Sequence, residues 1–314
     1  MGGRIIILGA AGCLGRAAAE AFRDSGWMVA SLVRSRSLSR IAPGTEPVEV
    51  DARDGDSVIE AARGADIILN ALNQPYTEWA RFVPPFTETA IAAARTSGAT
   101  LIFPGNLYNY GSGMPAAIDE TTPMRPTSRK GQLRVEVESH LRMAAEAGVR
   151  TIVLRAGDFY GGRNTGSWLD RVIVKNLRLG RITYPGPLDI VHAWAYLPDL
   201  AAAMVQLAAM RKNFEPFETF GFAGHAVTGR ELVGAILKMA RCNLRVGTMP
   251  WWLIRTFGPV VPVFRELAEI AYLWREPHRI AGDKLKNAIG HVPSTPLETA
   301  VAAALHDLGF QPAH

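Results

Sequence analysis

The stretch Arg4-Ile5-Ile6-Ile7-Leu8-Gly9-Ala10-Ala11-Gly12-Cys13-Leu14-Gly15 decides the fold. Four consecutive apolar residues, neither alternating nor spaced as on a helix, suit a strand buried on both faces. They run into a Gly9-x-x-Gly12-x-x-Gly15 turn, and an Ala-rich helix is expected from Leu14 to Ser25, ended by Gly26. In a strand–turn–helix of this kind Gly9 permits the tight turn, Gly12 lets the backbone approach a pyrophosphate, and Gly15 lets helix and strand pack closely. The amides from Gly9 and Ala11 through Cys13 and Leu14 to Gly15, with the positive end of the helix, then form a phosphate cradle.

Working outward, strands and helices alternate. Strands are expected at Met28–Val33, Val48–Val50, Ile67–Asn70, Leu101–Phe103 and Thr151–Leu154. Helices are expected from Ser57 to Ala62, Pro84 to Thr96 and Gly131 to Ala147. Doubly apolar strands separated by helices predict an α/β, Rossmann-type, doubly wound parallel sheet. Residues 156–190 are rich in Gly, Asn and Pro and show no clear strand pair. A helix resumes at Leu197–Met210, a strand at Glu218–Phe222, and from Thr228 the pattern is mostly helical. The reading is a dinucleotide-binding domain, 1–155 plus 191–224, and a smaller, mostly helical substrate lobe, 156–190 plus 225–314.

Composition narrows the function. The chain has 314 residues, 48% apolar and 20% charged, enough for a large core and too apolar for wholesale disorder. Its two cysteines, Cys13 and Cys242, exclude a disulfide scaffold and a cysteine zinc site, and suit a cytoplasmic protein. The seven histidines have no metal-binding spacing. The net charge of +5 forms no block of like charges, so no nucleic-acid partner is expected. The most apolar late stretch, Met249 to Phe264, is broken by Arg255, Gly258, Pro259 and Pro262, so no membrane partner is expected either. The expected partner is a small-molecule substrate, with a homodimer as an assembly the reading allows.

More motifs carry a resemblance. Val48-Glu49-Val50-Asp51-Ala52-Arg53-Asp54, Ala65-Asp66-Ile67-Ile68-Leu69-Asn70-Ala71, Leu154-Arg155-Ala156-Gly157-Asp158-Phe159-Tyr160-Gly161 and Tyr196-Leu197-Pro198-Asp199-Leu200-Ala201 join the glycine turn. Together they resemble the short-chain dehydrogenase/reductase superfamily, in its extended and atypical branch of epimerase/dehydratase-like proteins, over roughly residues 4 to 240. The resemblance implies a nicotinamide dinucleotide, with Asp51 and Ala52 at the adenine and Asn70, Ala71 and Leu72 near the nicotinamide ribose. At the end of the second strand an acid would accept from the ribose hydroxyls. Here Val33-Arg34-Ser35-Arg36 offers two guanidiniums and a hydroxyl, with no Asp or Glu nearby in sequence, so NADP(H) is favoured over NAD(H).

The family's catalytic Ser, Tyr and Lys are replaced. Counting from Tyr110-Gly111 puts Asn106 at the Ser position. Aligning Arg134-Val135-Glu136-Val137-Glu138 puts Lys130 at the Tyr position and Arg134 at the Lys position. Asn106 can still donate to a carbonyl oxygen. Arg134 keeps a positive charge for the ribose, and Lys130, one turn away on the same helix face, can serve as an acid if desolvated. Tyr108 and Tyr160 are alternative phenols. Phe159, Tyr160, Trp168, Trp194 and Trp251-Trp252 are candidate cleft walls, implying a substrate with an apolar or planar part. His192 is expected in a loop or pocket. Two function classes stand: an NADP(H)-dependent oxidoreductase or epimerase/dehydratase-like enzyme on a small carbonyl or alcohol, and a catalytically silent NADP(H)-binding sensor or regulator.

Overall fold

The computed structural model describes residues 2–163, 166–240 and 244–310. At its centre is β1 (Arg4–Leu8), whose side chains alternate between two cores. Ile5 and Ile7 pack with Leu14, Ala18 and Phe22 of α1 (Cys13–Asp24) and with Leu200 and Met204 of α5 (Leu197–Met210). Ile6 and Leu8 pack with Val58 of α2 (Gly55–Ala61), Ile91 of α3 (Trp79–Ser97) and Leu141 of α4 (Arg129–Glu146). A helix layer on each face is why Ile5 to Leu8 of this strand carry only apolar side chains.

The main sheet has seven parallel strands: β3 (Glu46–Glu49), β2 (Met28–Val33), β1, β4 (Ile67–Asn70), β5 (Thr100–Gly105), β7 (Thr151–Ala156) and β11 (Phe217–Phe222), in that spatial order. The chain runs from β1 to one edge, then restarts at β4 on the other side. That reversal opens a crevice at the carboxyl ends of β1 and β4, the usual place for a ligand in such sheets. Away from this sheet, β10 (Val191–Tyr196) pairs in parallel with β8 (Asp158–Tyr160) and antiparallel with β12 (His225–Thr228). Two short pairs, β6 (Ala117–Ile118) with β14 (Arg279–Ile280) and β9 (Arg181–Tyr184) with β13 (Arg245–Thr248), fasten later chain to earlier. The rest is helical: α6 (Gly229–Ala240), α7 (Trp251–Phe257), α8 (Pro262–Glu269), α9 (Asp283–Ile289) and α10 (Leu297–Asp307).

Several expectations shift. The third strand starts two residues and ends one residue earlier than its apolar pair suggested. α2 is capped by Asp54, which accepts from the Ser57 amide at 3.2 Å, so Ser57 is inside the helix. α3 starts at Trp79 and carries Pro84 and Pro85 inside it. Residues 156–190 hold β8 and β9, and His192 is a buried strand residue rather than a loop residue. β8 and β9 pair with strands distant in sequence, which no local pattern reveals. Among the described residues no helix is long and apolar enough to cross a membrane, and no group of three or more His, Cys, Asp or Glu is placed to hold a metal. Cys242 lies outside the described residues.

Candidate active site

The glycine turn lies at the crevice. Gly9 has φ +82°, and a Cβ there would stand 2.8 Å from the Ala71 carbonyl, so the end of β1 touches the end of β4. A Cβ on Gly15 would stand 2.3 Å from the Gly9 carbonyl, which no side chain tolerates. Gly12 differs: a Cβ there meets only the Gly9 carbonyl, at 3.2 Å, so its outer side is open. The start of α1 has neither a side-chain cap nor an acid in its first turn, a helix end suited to an anion. The loop after β8 crosses above it, since a Cβ on Gly166 would lie 3.0 Å from the Cys13 sulfur. Burial first, and then Asp170, pushes the Cys13 thiol up to about 11, which leaves it protonated and inert.

At the end of β2, Arg34 and Arg36 are exposed. The Ser35 hydroxyl between them donates to Glu49. Sequence reading saw no carboxylate here; β2 and β3 pair with Val33 opposite Glu49, which brings one in. Asp51 accepts from Arg53 at 2.5 Å. Those hydrogen bonds, with a smaller contribution from Arg34, hold the Asp51 carboxyl down to about 2. Ala52 lies between Asp51 and Arg53, partly exposed. At the end of β4, Asn70 is buried and its Oδ1 faces the Leu72 amide at 3.4 Å, while the Ala71 amide donates to the Leu8 carbonyl at 3.0 Å.

Next to β4, β5 delivers Asn106. Its Oδ1 accepts from the Tyr108 amide at 3.0 Å, and its side-chain nitrogen makes no hydrogen bond among the described residues. The Tyr108 and Tyr76 hydroxyls are 2.8 Å apart. Burial raises Tyr76 to about 12 and Tyr108 well beyond the usual phenol range, and the Asp158 charge adds to both.

α4 approaches this pair closely. Ser128 caps it by accepting from the Gly131 amide at 3.1 Å, and a Cβ on Gly131 would lie 2.3 Å from the Tyr108 carbonyl. Lys130, just before that glycine, is buried. Its ammonium donates to Glu266 and lies 3.4 Å from Glu269, both on α8, and stands 5.3 Å from the Tyr76 ring. The ammonium is therefore committed to carboxylates that sequence reading had not placed there. Arg134 stacks its guanidinium over Trp79 at 4.6 Å and Phe103 at 5.3 Å. Its Nε is buried without a hydrogen-bond partner, and burial pulls the group below the usual arginine range.

Beyond β7 lies a second ionisable pair. Asp158 Oδ2 and His192 Nε2 are 2.8 Å apart. The His192 ring stacks on Trp274 at 4.3 Å, and its Nδ1 is buried without a partner. Trp168 and Trp194 are buried in the same cluster; Tyr160 is buried too, with its hydroxyl 2.8 Å from His225, whereas Trp252 is exposed. One buried network holds the pieces in place: Arg155 of β7 donates to Glu138 of α4 at 2.6 Å and to the Tyr110 hydroxyl at 3.0 Å, and Asn109 donates to Glu138 at 2.8 Å. The loop bearing Asn106, the strand bearing Asp158 and the helix bearing Lys130 are thus mutually fixed.

Residues 5–221 match the model of the NAD dependent epimerase/dehydratase family. The chain belongs to that family. Its fold is similar to MoeE5 in complex with UDP-glucuronic acid and NAD, at 16% identity and TM-score 0.78 over 98% of this chain and 99% of that one. It is similar in the same degree to the UDP-glucose 4-epimerase of Thermotoga maritima with UDP-glucose, at 15% identity and TM-score 0.78 over 98% of each chain. A 3-diazoavenalumate denitrifying reductase from a Streptomyces species is 25% identical over 218 residues, 64% of this chain and 71% of that protein.

Within this epimerase/dehydratase frame, the structure brings Asn106, Tyr108, Lys130 and Arg134 to one end of the sheet, beside the expected dinucleotide positions. Sequence reading missed Tyr76, Glu49, Glu266 and Glu269, and did not pair Asp158 with His192. Tyr76 had a signal: it follows the fourth strand, whose end faces the crevice. The others are joined by tertiary contact alone.

Proposed function

We propose that this chain is a nicotinamide-dinucleotide-dependent oxidoreductase, using NADP(H) in preference to NAD(H), that reduces a small substrate with a planar, apolar part. The observation that carries the reading is the open side of Gly12 at the strand crevice, with an aromatic-walled set of proton-bearing groups at the neighbouring strand ends. The unpaired Arg134 Nε and the exposed Arg34 and Arg36 fit an anionic dinucleotide. When bound, that cofactor supplies or accepts a hydride. Reduction rather than epimerisation is favoured by the reductase relative.

In this reading Asn106 donates its free N–H to the reacting oxygen and Arg134 steadies the ribose. Lys130 is one candidate acid; the buried Asp158–His192 pair is another, because a carboxylate 2.8 Å from the ring orients an imidazole, a group able to donate or accept a proton. Tyr76 and Tyr108, kept neutral by burial, shape and hydrogen-bond the substrate. A second reading, a silent dinucleotide sensor, is favoured by one observation: Lys130 at the Tyr position is neutralised by Glu266.

Fluorescence titration with NADPH, beside Gly12→Val, tests binding first; the variant should fold and lose affinity because its side chain fills the open side. NADPH oxidation against aromatic aldehydes, enones and diazo compounds then separates the readings. Turnover that drops about 10²–10⁴-fold in His192→Asn assigns the acid to that pair. Tight NADPH binding with no turnover on any compound leaves the sensor.

A further inference from the structure

The exposed apolar side chains of this chain are not scattered. Among the described residues eight large hydrophobic side chains are exposed. Two, Met28 and Met143, lie apart. Val246 of β13, Trp252 and Phe257 of α7, Val260, and Val263 of α8 belong to one short stretch, at 40, 69, 46, 75 and 48% exposure. Leu179 joins them, because the Arg245 amide donates to the Gly180 carbonyl at 2.9 Å.

The sequence of this region is basic. From Leu232 to Arg265 the sequence holds Lys238, Arg241, Arg245, Arg255 and Arg265 and not one Asp or Glu. The chain's net charge is +5, so everything outside this stretch is balanced. Lys238 is paired with Glu298, and Arg265 lies 3.5 Å from Glu266. Arg245 and Arg255 are exposed and make no ion pair among the described residues.

We infer that α7, α8 and the adjoining β13 form a docking surface for an anionic lipid bilayer. Trp and Phe flanked by guanidiniums are what an interfacial hairpin presents: the rings enter the headgroup boundary and the cations meet lipid phosphates. A lipid surface is favoured over an acidic protein because the exposed apolar side chains of this face, Leu179, Val246, Trp252, Phe257, Val260 and Val263, outnumber its exposed guanidiniums, Arg245 and Arg255. Of its two hydroxyls, Thr248 and Thr256, the second donates to the Trp252 carbonyl inside its own helix. The breaks at Arg255, Gly258, Pro259 and Pro262 exclude a span but suit a hairpin lying in the interface. α8 also carries Glu266 and Glu269, which hold Lys130. Docking and the candidate site therefore share one helix, and an apolar substrate would reach the site from the bilayer side. The docking inference does not depend on which reaction the site performs.

The test is co-sedimentation of the full chain with vesicles of phosphatidylcholine alone and of phosphatidylcholine mixed with phosphatidylglycerol. Binding is expected to the mixed vesicles at low salt and to fade at high salt. Arg245→Gln with Arg255→Gln should weaken it about thirtyfold, since each basic residue near an anionic surface contributes roughly fivefold. Trp252→Ser with Val260→Ser should abolish it while leaving the circular dichroism spectrum and NADPH affinity unchanged. No binding to the mixed vesicles at low salt, or equal binding by the chain and both variants, overturns the inference. So does lipid-free self-association that the Trp252→Ser, Val260→Ser variant loses, which would make the face a contact between copies.

Discussion

Glu49 reaches Ser35 across the β2–β3 pair, so Arg34 and Arg36 share their surface with a carboxylate. Two guanidiniums beside one carboxylate still favour a phosphate dianion, though less than two alone. NADPH should therefore bind more tightly than NADH, Arg34→Asp should reverse the order, and Glu49→Gln should widen it. Isothermal titration with both cofactors decides; tighter NADH binding by the unaltered chain ends the proposal. This residue also marks a limit of sequence reading. Arg34 and Arg36 are legible because they follow a recognisable strand, while Glu49 looks like an ordinary exposed strand residue until the sheet pairs it with Val33. The Asp158–His192 pair is hidden in the same way: each partner lies at the start of its own strand, and only the β8–β10 pairing joins them.

Among the elements, α4 has the most demanding placement. Its first turn touches the Tyr108 carbonyl through Gly131, its middle holds Glu138 against Arg155, and Lys130 binds α8. Whether Lys130 serves chemistry or docking is separable. Lys130→Met alone leaves Glu266 buried without its strongest partner and should cost about 3–5 kcal/mol. Lys130→Met with Glu266→Leu removes both charges and should recover much of that stability. If turnover stays depressed in the stable double variant, Lys130 acts on the reacting atoms; if turnover returns with stability, it is a strut. Denaturant unfolding and NADPH oxidation, run on the same samples, give the answer. The helices α1 to α5 were legible from Ala-rich runs and terminal glycines. The start of α3 was not, because Pro84 reads as a helix opening; the helix nonetheless begins at Trp79, whose buried indole donates to the Gln74 carbonyl at 2.9 Å and packs on Tyr76 and Tyr108.

For the molecule as a whole, the aromatic cluster between the main sheet and the later helices makes stability depend on protons. His278 lies in that cluster with its ring 4.5 Å from His192. Burial, with a smaller push from His192, brings its imidazole down to about 3. In the unfolded chain it titrates at roughly 6.5. Between those values the unfolded state holds a proton that the folded state refuses, so stability is complete above the upper value and drains away on acidification. Urea midpoints should fall as pH drops from 7 toward 4, and His278→Gln should flatten that slope; an unchanged slope would remove the assignment. The main sheet was largely legible from its doubly apolar strands, whereas the later chain was not, because its order comes from pairings such as β6 with β14 and β9 with β13. The position of β11 carries a consequence for how the protein is made. β11 is the last strand of the main sheet to be synthesised, and it covers β7 only after the whole segment holding β8, β9, β10 and α5 has been made. On the ribosome, the outer edge of β7 waits open throughout that interval. A chain stopped before Phe217 would carry that edge permanently, and is expected to be an aggregating fragment rather than a free-standing nucleotide-binding half.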